Sequence, residues 1–292
     1  MAYGTPRDLD DVERYYTDIR RGRPPSTELL EELVGRYEAI GGQSPLLEIT
    51  EAQARGMQER LGVPAYLGQK HTAPFIRDAV EAMHADGVER AAGIVLAPHY
   101  SSMSIGDYAR RAERAAHETG WHGRLEMVTS WHLEPGYVDW LTARVGEALE
   151  VLGEPEATVI FSAHSLPAKI LEGGDPYPDQ LAETARTVAS RAGLAKWTVG
   201  WQSAGRTDEP WLGPDILEVI TGLAGRGERA VVSCPCGFVA DHLEVLYDID
   251  IEAKQRAAEL GMSLVRTRSP NDDPVFLDML AGVVQRALDI EG

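Results

Sequence analysis

Ile160-Phe-Ser-Ala-His164-Ser165 decides the architecture. An apolar stretch runs into a histidine and a serine, and Val95-Leu-Ala-Pro-His99-Tyr-Ser101 repeats the arrangement. Short apolar runs that alternate with amphipathic segments from end to end are the signature of parallel strands wrapped by helices. Two runs ending alike point to two similar doubly wound, flavodoxin-like α/β domains, with a cleft at the carboxyl ends of their strands.

In the second half the pattern predicts strands at Thr158–Ser162, Trp197–Gln202, Ala230–Ser233 and Ser263–Arg266. Helices are expected near Tyr177–Ala192, Pro214–Ala224, Asp241–Leu260 and Asp273–Ile290. The first half offers strands at Ala65–Gly68, Gly93–Ala97 and Leu125–Thr129, with helices near Pro74–Ala85, Ile105–Glu118 and Gly136–Val151. Before them, Leu29, Leu30, Leu33, Val34 and Tyr37 mark a helix over Thr27–Ile40 stopped by Gly41-Gly42, and Thr50 is read as the N-cap of another ending near Gly62. The expected division is residues 1–153 and 154–292. The count of strands is uneven: Ala2-Tyr3-Gly4-Thr5-Pro6 reads as the tail of a first strand whose body is missing, so relatives are expected to begin a short apolar strand earlier.

A hydrophobic content of 43% and a charged content of 25% describe an ordinary soluble protein. No apolar run reaches membrane-spanning length and the amino terminus lacks a secretory signal, so a cytoplasmic protein without an integral membrane segment is expected. The net charge of −18 argues against nucleic acid as a partner. Against it stands one basic run, Ile19-Arg20-Arg21-Gly22-Arg23, which is either an anion site or a solvated helix end. Cys234 and Cys236 are too few for a cluster or a closed zinc site and read as buried small side chains.

The commonest enzyme motifs are missing: there is no GxxxxGK[ST], GxSxG, HExxH or GxGxxG. Two segments carry chemistry instead. Phe161-Ser-Ala-His164-Ser-Leu-Pro167 places a histidine at a strand's carboxyl end, where, taken alone, it is more often structural than catalytic. Gly237-Phe-Val-Ala-Asp-His-Leu-Glu244-Val-Leu-Tyr-Asp248-Ile-Asp-Ile-Glu252 repeats a carboxylate every fourth residue. Four residues overshoot a regular helical turn by about 40°, and a wider π-type turn would bring the three closer to alignment. Such a row is either a solvated acidic face or a set of oxygen ligands for a divalent cation.

These segments resemble the ferrochelatases, most closely the short forms of Gram-positive bacteria that act on coproporphyrin. The collinear matches are YGTP at Tyr3–Pro6, ERYYTDIRRGR at Glu13–Arg23, RYEAIGGQSPL at Arg36–Leu46, LGQKH at Leu67–His71 and LAPHYS at Leu96–Ser101. They continue with SAHSLP at Ser162–Pro167, GDPYPDQL at Gly174–Leu181, GWQSAG at Gly200–Gly205, PWLGPD at Pro210–Asp215 and GFVADHLEVLYDID at Gly237–Asp250.

The resemblance implies ATP-independent insertion of ferrous iron into coproporphyrin III to give coproheme. It implies that His164 and Glu244 bind the incoming iron and accept porphyrin protons, an imidazole of ordinary pKa near 6.5 suiting neutral pH. Asp248 and Glu252 would form an outer metal station, and Tyr3 would meet the product iron from the other face. Propionate contacts map onto Arg20, Arg36, Ser44 and Tyr108, with Lys70 lining a cleft expected to bend the macrocycle. Arg36 could merely cap a helix, and Ser44 could be a turn former before Pro45.

The family's opening strand is absent here, and the segment between Gly56 and Ala65 is shorter than usual. The cluster-binding cysteine set of some actinobacterial relatives does not occur, so no iron–sulfur cluster, and no cofactor beyond substrate Fe(II), is expected. Porphyrin and ferrous iron are the expected partners, an iron donor or neighbouring enzymes of haem synthesis are candidates, and the protein is expected to be a monomer. The rivals are a protoporphyrin ferrochelatase, a sirohydrochlorin cobalt chelatase, and a haem carrier that binds without catalysing.

Overall fold

The structure, a computed structural model, describes residues 1–289. In chain order the first half holds α1 (Val12–Ile19), α2 (Thr27–Ala39), α3 (Leu46–Leu61), α4 (Ile76–Ala85), β1 (Arg90–Ile94), α5 (Ile105–Thr119), β2 (Arg124–Val128) and α6 (Pro135–Leu152). The second holds β3 (Thr158–His164), α7 (Tyr177–Ala192), β4 (Trp197–Gln202), α8 (Ile216–Gly225), β5 (Ala230–Cys234), α9 (Leu243–Leu246), a π-helical segment Asp248–Ala253, α10 (Lys254–Glu259), β6 (Ser263–Arg266) and α11 (Pro274–Asp289). The expected end of the last helix, Ile290, lies outside the described residues.

The second sheet is parallel throughout, in the order β4-β3-β5-β6. Its central strand, β3, is buried from Thr158 to Ala163, which is why that stretch is apolar without alternation. The first sheet repeats the order in abbreviated form. Met1–Tyr3 lies between Gly68–Lys70 and β1: Ala2 N–H donates to Gly68 O (3.1 Å), Lys70 N–H to Ala2 O (3.0 Å) and Leu96 N–H to Met1 O (3.0 Å). Then β1 pairs in parallel with β2. Numbering strands within each half, both sheets run 2-1-3-4.

The repeat extends to the helix after the second strand. Gln69 bridges Phe75 and Trp201 bridges Asp215, and in each case the bridged residue precedes a helix. The Phe75 N–H donates to the Asp78 carboxylate (2.7 Å) and the Asp215 N–H to that of Glu218 (3.0 Å), the same reach-back that satisfies a helix-start donor. The halves also exchange a helix. α6 packs on β5, β6 and α7, while α11 crosses back onto α3, β1 and β2. Both insert into one core that joins Tyr137, Trp140 and Leu141 to Phe276, Leu277 and Leu280.

Several expectations need correction. Ala65–Gly68 is not a regular strand: its pairing with Met1–Tyr3 begins at Gly68, and Ala65–Leu67 make no ladder bonds among the described residues. Thr50 is not an N-cap but lies one turn inside α3, its hydroxyl donating to Leu46 O (2.6 Å). The helix begins earlier because the Ser44 hydroxyl accepts from Leu46 N–H (3.3 Å); Gly62, at φ 66°, ends it as expected. The expected helix Asp241–Leu260 starts at Leu243 and is interrupted by the π segment.

Gly237 closes against β3 just before His164, its N–H donating to Ser162 O at 2.9 Å. A Cβ there would stand 2.4 Å from Ala163 Cβ and 2.7 Å from Ala163 Cα. Gly237→Ala is therefore expected to lower stability by roughly 1–3 kcal/mol, read as a lower urea midpoint. Gly146→Ala in α6, where an added Cβ meets nothing within 4 Å, is expected to hold or raise it.

Candidate active site

His164 ends β3 and Tyr3 ends the equivalent strand of the first half, so both stand at the switch point where strand order reverses, beside strands 1 and 3. His164 is fixed from behind. Its carbonyl accepts from the Tyr177 hydroxyl (3.0 Å), and its Nδ1–H donates to Ser165 O. A carbonyl can only accept, so Nδ1 carries the proton and Nε2 is turned forward. There it meets Glu244 Oε1 at 3.5 Å.

Glu244 is placed just as firmly. Ser162, two residues before His164, donates its hydroxyl to Gln202 Oε1 (3.0 Å), and Gln202 donates its amide to Glu244 O (2.9 Å). One side chain thus ties the strand of the histidine to the helix of the glutamate. The second carboxylate oxygen lies 3.5 Å from His242 Nε2. His242, whose Nδ1 is 2.9 Å from Ala240 O, was missed in the sequence; its only signal there was its place two residues before Glu244.

The expected wider turn is present in the segment that carries Asp248 and Glu252. Glu252 N–H donates to Tyr247 O at 2.9 Å, a bond across five residues. Asp248 is buried, with its carboxylate accepting from the Ser203 hydroxyl and lying 3.5 Å from Arg36 Nη1. Ser203 adopts a left-handed backbone (φ 60°) to reach it. Burial, opposed by the Ser203 hydrogen bond and reinforced by the charges of Glu244 and Glu252, raises the Asp248 pKa to about 7. Among the described residues no three His, Cys, Asp or Glu side chains converge as a preformed metal cage.

The remaining sequence candidates divide by exposure. Tyr3 is 40% exposed, yet burial among surrounding groups and the charge of Glu244 raise its phenol pKa, so the carboxylate lies within electrostatic reach of the phenol. The His71 ring stands 4.6 Å from it and is held by Asp18 (2.6 Å). Lys70 is buried, ion-paired with Asp107 at 2.7 Å, and lies 5.6 Å from the Tyr3 ring and 4.9 Å from that of Tyr108. Tyr108 and Ser44 are also buried, so these three back the wall rather than present a surface. Arg20 lies 5.7 Å over the Tyr16 ring and donates to Arg23 O (3.2 Å). A depression of about 380 Å³ bounded by Tyr100, Met103, Lys169 and Asp175 lies apart from the His164–Glu244 pair. Cys234 and Cys236 are buried free thiols.

The sequence reading had expected His164 to titrate near its ordinary value. Burial opposes its charge, but Glu244, through its charge and hydrogen bond, overrides that and raises the pKa to about 9. Burial likewise works against Glu244, and His164 and His242 hold it well below the usual carboxylate range.

A family model described as ferrochelatase matches residues 1–288. A coproporphyrin III ferrochelatase of Geobacillus thermodenitrificans is 50% identical over 303 residues, spanning 100% of this chain and 96% of that protein. One of Bacillus subtilis is 49% identical over 299 residues, spanning 99% and 96%. Among solved structures, SirB from Bacillus subtilis with Fe3+ superposes with a TM-score of 0.62 at 14% identity, covering 83% of this chain and 89% of that one. CbiX, the terminal enzyme for siroheme biosynthesis in denitrifying bacteria, gives 0.58 at 15%, covering 85% and 95%. At such identities the likeness is of fold.

Because His164 is raised and Glu244 lowered, the pair's stabilisation is complete between their unfolded values of 4.5 and 6.5. It falls away as pH rises towards about 9, and again in acid as Glu244 protonates. NMR titration of the metal-free protein is expected to place His164 well above 6.5. Glu244→Gln, and to a smaller extent Gln202→Leu, should bring it down; an unchanged value in Glu244→Gln would show that the two groups do not interact.

Proposed function

The chain belongs to the ferrochelatase family, and on that footing we propose that it inserts ferrous iron into coproporphyrin III, without ATP, to give coproheme. The observation that carries this reading is the imidazole of His164 at 3.5 Å from the Glu244 carboxylate, whose charge also reaches the phenol of Tyr3. The full-length identity to coproporphyrin III ferrochelatases supports the choice of substrate.

Insertion of a dication into a free-base porphyrin forms four metal–nitrogen bonds and releases two N–H protons. Glu244 keeps the His164 imidazole charged in the metal-free protein, so His164 first gives its Nε2 proton to solvent. His164 and Glu244 then offer one nitrogen and two oxygens, a mixed set suited to ferrous iron. Once iron passes to the macrocycle, the freed imidazole takes up a released porphyrin proton while the other goes to solvent. Asp248 and Glu252 extend the oxygen donors outward along the same helix, so that iron exchanges its water for carboxylate in steps. Tyr3 meets the iron of the product from the opposite face.

The coproporphyrin disk is apolar at its centre and anionic at its rim. Arg36 and Arg20 supply guanidinium groups for propionates, which such forks bind bidentately, and Ser44, Lys70 and Tyr108 shape the wall. The two lobes of the slot are residues 1–153 and 154–292, which exchange α6 and α11. Among the described residues no helix is long and apolar enough to cross a membrane; the reading places the enzyme in the cytoplasm as a monomer that exchanges substrates with an iron donor and neighbouring enzymes of haem synthesis.

His164→Ala is expected to lower kcat for iron insertion by about 10²-fold or more while the coproporphyrin Kd, from absorbance titration, changes by less than about threefold. Near-normal turnover in that variant would sink the assignment. In direct competition, coproporphyrin III should be metallated in preference to protoporphyrin, and the opposite order would reverse the choice of substrate.

A further inference from the structure

Arg36 serves two carboxylates. From α2 its guanidinium reaches Glu32 Oε1 at 3.2 Å and, 212 residues away in the chain, Asp248 Oδ1 at 3.5 Å, while it lies 4.9 Å over the Tyr247 ring. The two partners are not equally dependent on it. Glu32 has a second cation, Arg206, on its other oxygen. Asp248 has, among the described residues, Arg36 and the neutral hydroxyl of Ser203. Exposure is unequal too: the Arg36 side chain keeps 26% of its surface and that of Asp248 only 8%. The charge that balances the second carboxylate of the row is therefore the one an incoming anion can reach.

A guanidinium and a divalent cation compete for one carboxylate, because both need its lone pairs and each repels the other. A propionate offers Arg36 a different carboxylate, with the flat geometry its fork prefers. We propose, on the reading of the site given above, that Arg36 is a gate between the two substrates. In the porphyrin-free protein it occupies Asp248. A propionate draws it away, and Asp248, with Glu252, becomes free to receive ferrous iron. Porphyrin binding then precedes and strengthens metal loading, and by linkage the metal strengthens porphyrin binding by the same factor.

Zinc coproporphyrin tests this, since it carries all four propionates and has no vacant centre for a second metal. Mn(II) binding to the full chain is measured by the EPR signal of the free ion, with and without saturating zinc coproporphyrin. The wild-type protein is expected to bind Mn(II) about tenfold more tightly when the porphyrin is present, within the range usual for coupled sites. Arg36→Met should bind Mn(II) at the tight level without porphyrin and gain less than about twofold from it. Asp248→Asn should abolish the porphyrin-sensitive component. An unaltered Mn(II) affinity in Arg36→Met, with the porphyrin still tightening binding, overturns the gate; so does a porphyrin effect that survives Asp248→Asn. If zinc coproporphyrin binds the wild type and leaves Mn(II) affinity unchanged, the gate fails while the porphyrin site stands. If its absorption spectrum shows no binding to the wild type, the reading of the site fails with it.

Discussion

Gln202 holds the site together. His164 rides on β3 and Glu244 on a helix that begins more than seventy residues later, and nothing in local geometry sets the distance between them. The chain Ser162–Gln202–Glu244 does, through two hydrogen bonds made by one buried amide. An amide suits this place because it accepts from the serine on one side and donates to a backbone carbonyl on the other. Both bonds lie out of water, where losing one partner leaves the other unsatisfied at a cost of about 1–3 kcal/mol. The spacing of the imidazole and carboxylate is thus a property of the core, and the pair inherits the rigidity of the sheet beneath it.

The next constraint is electrostatic. Three carboxylates on successive turns repel one another, and the chain keeps them together by three different means. Glu244 lies between two imidazoles. Asp248 is buried against a hydroxyl and shares a guanidinium with Glu32. Glu252 is only partly buried, and water screens it. The π segment Asp248–Ala253 carries Asp248 and Glu252 and separates two short α-helical stretches. Such insertions tend to occur at functional sites, which accords with the nearness of this segment to the His164–Glu244 pair.

The repeated topology explains why Tyr3 and His164 occupy equivalent places. Both halves run 2-1-3-4, and both put a candidate site residue, Tyr3 or His164, at the end of the first strand. The exchange of α6 and α11 then packs each sheet with a helix from the other half, so the walls share a core rather than meeting as independent bodies. Apolar burial on that scale outweighs the loss of a few ladder hydrogen bonds in the short first sheet. The shared core can hold the two halves rigidly together even though the first sheet has two regular strands among the described residues.

The sequence by itself determined the class of fold and most element boundaries, and it nominated the residues for chemistry, because each depends on local periodicity or on an ordered series of motifs. The run Thr158–Ala163 could hardly be anything but a central parallel strand, and the spacing of Glu244, Asp248 and Glu252 already suggested a wider turn. What it could not show were relations made across the chain: His242 as a second partner of Glu244, Gln202 as the brace between strand and helix, Arg36 engaged with Asp248, and the exchange of α6 and α11. Thr50 was misread because a threonine before a helical stretch and one bonded back to its own fourth predecessor look alike in sequence. Ala65–Gly68 was misread because a strand exists only where a partner runs alongside it, and here pairing starts at Gly68. Hydrophobic pattern chooses an element; which donor meets which acceptor is settled only when distant segments pack and every buried polar group must find its mate.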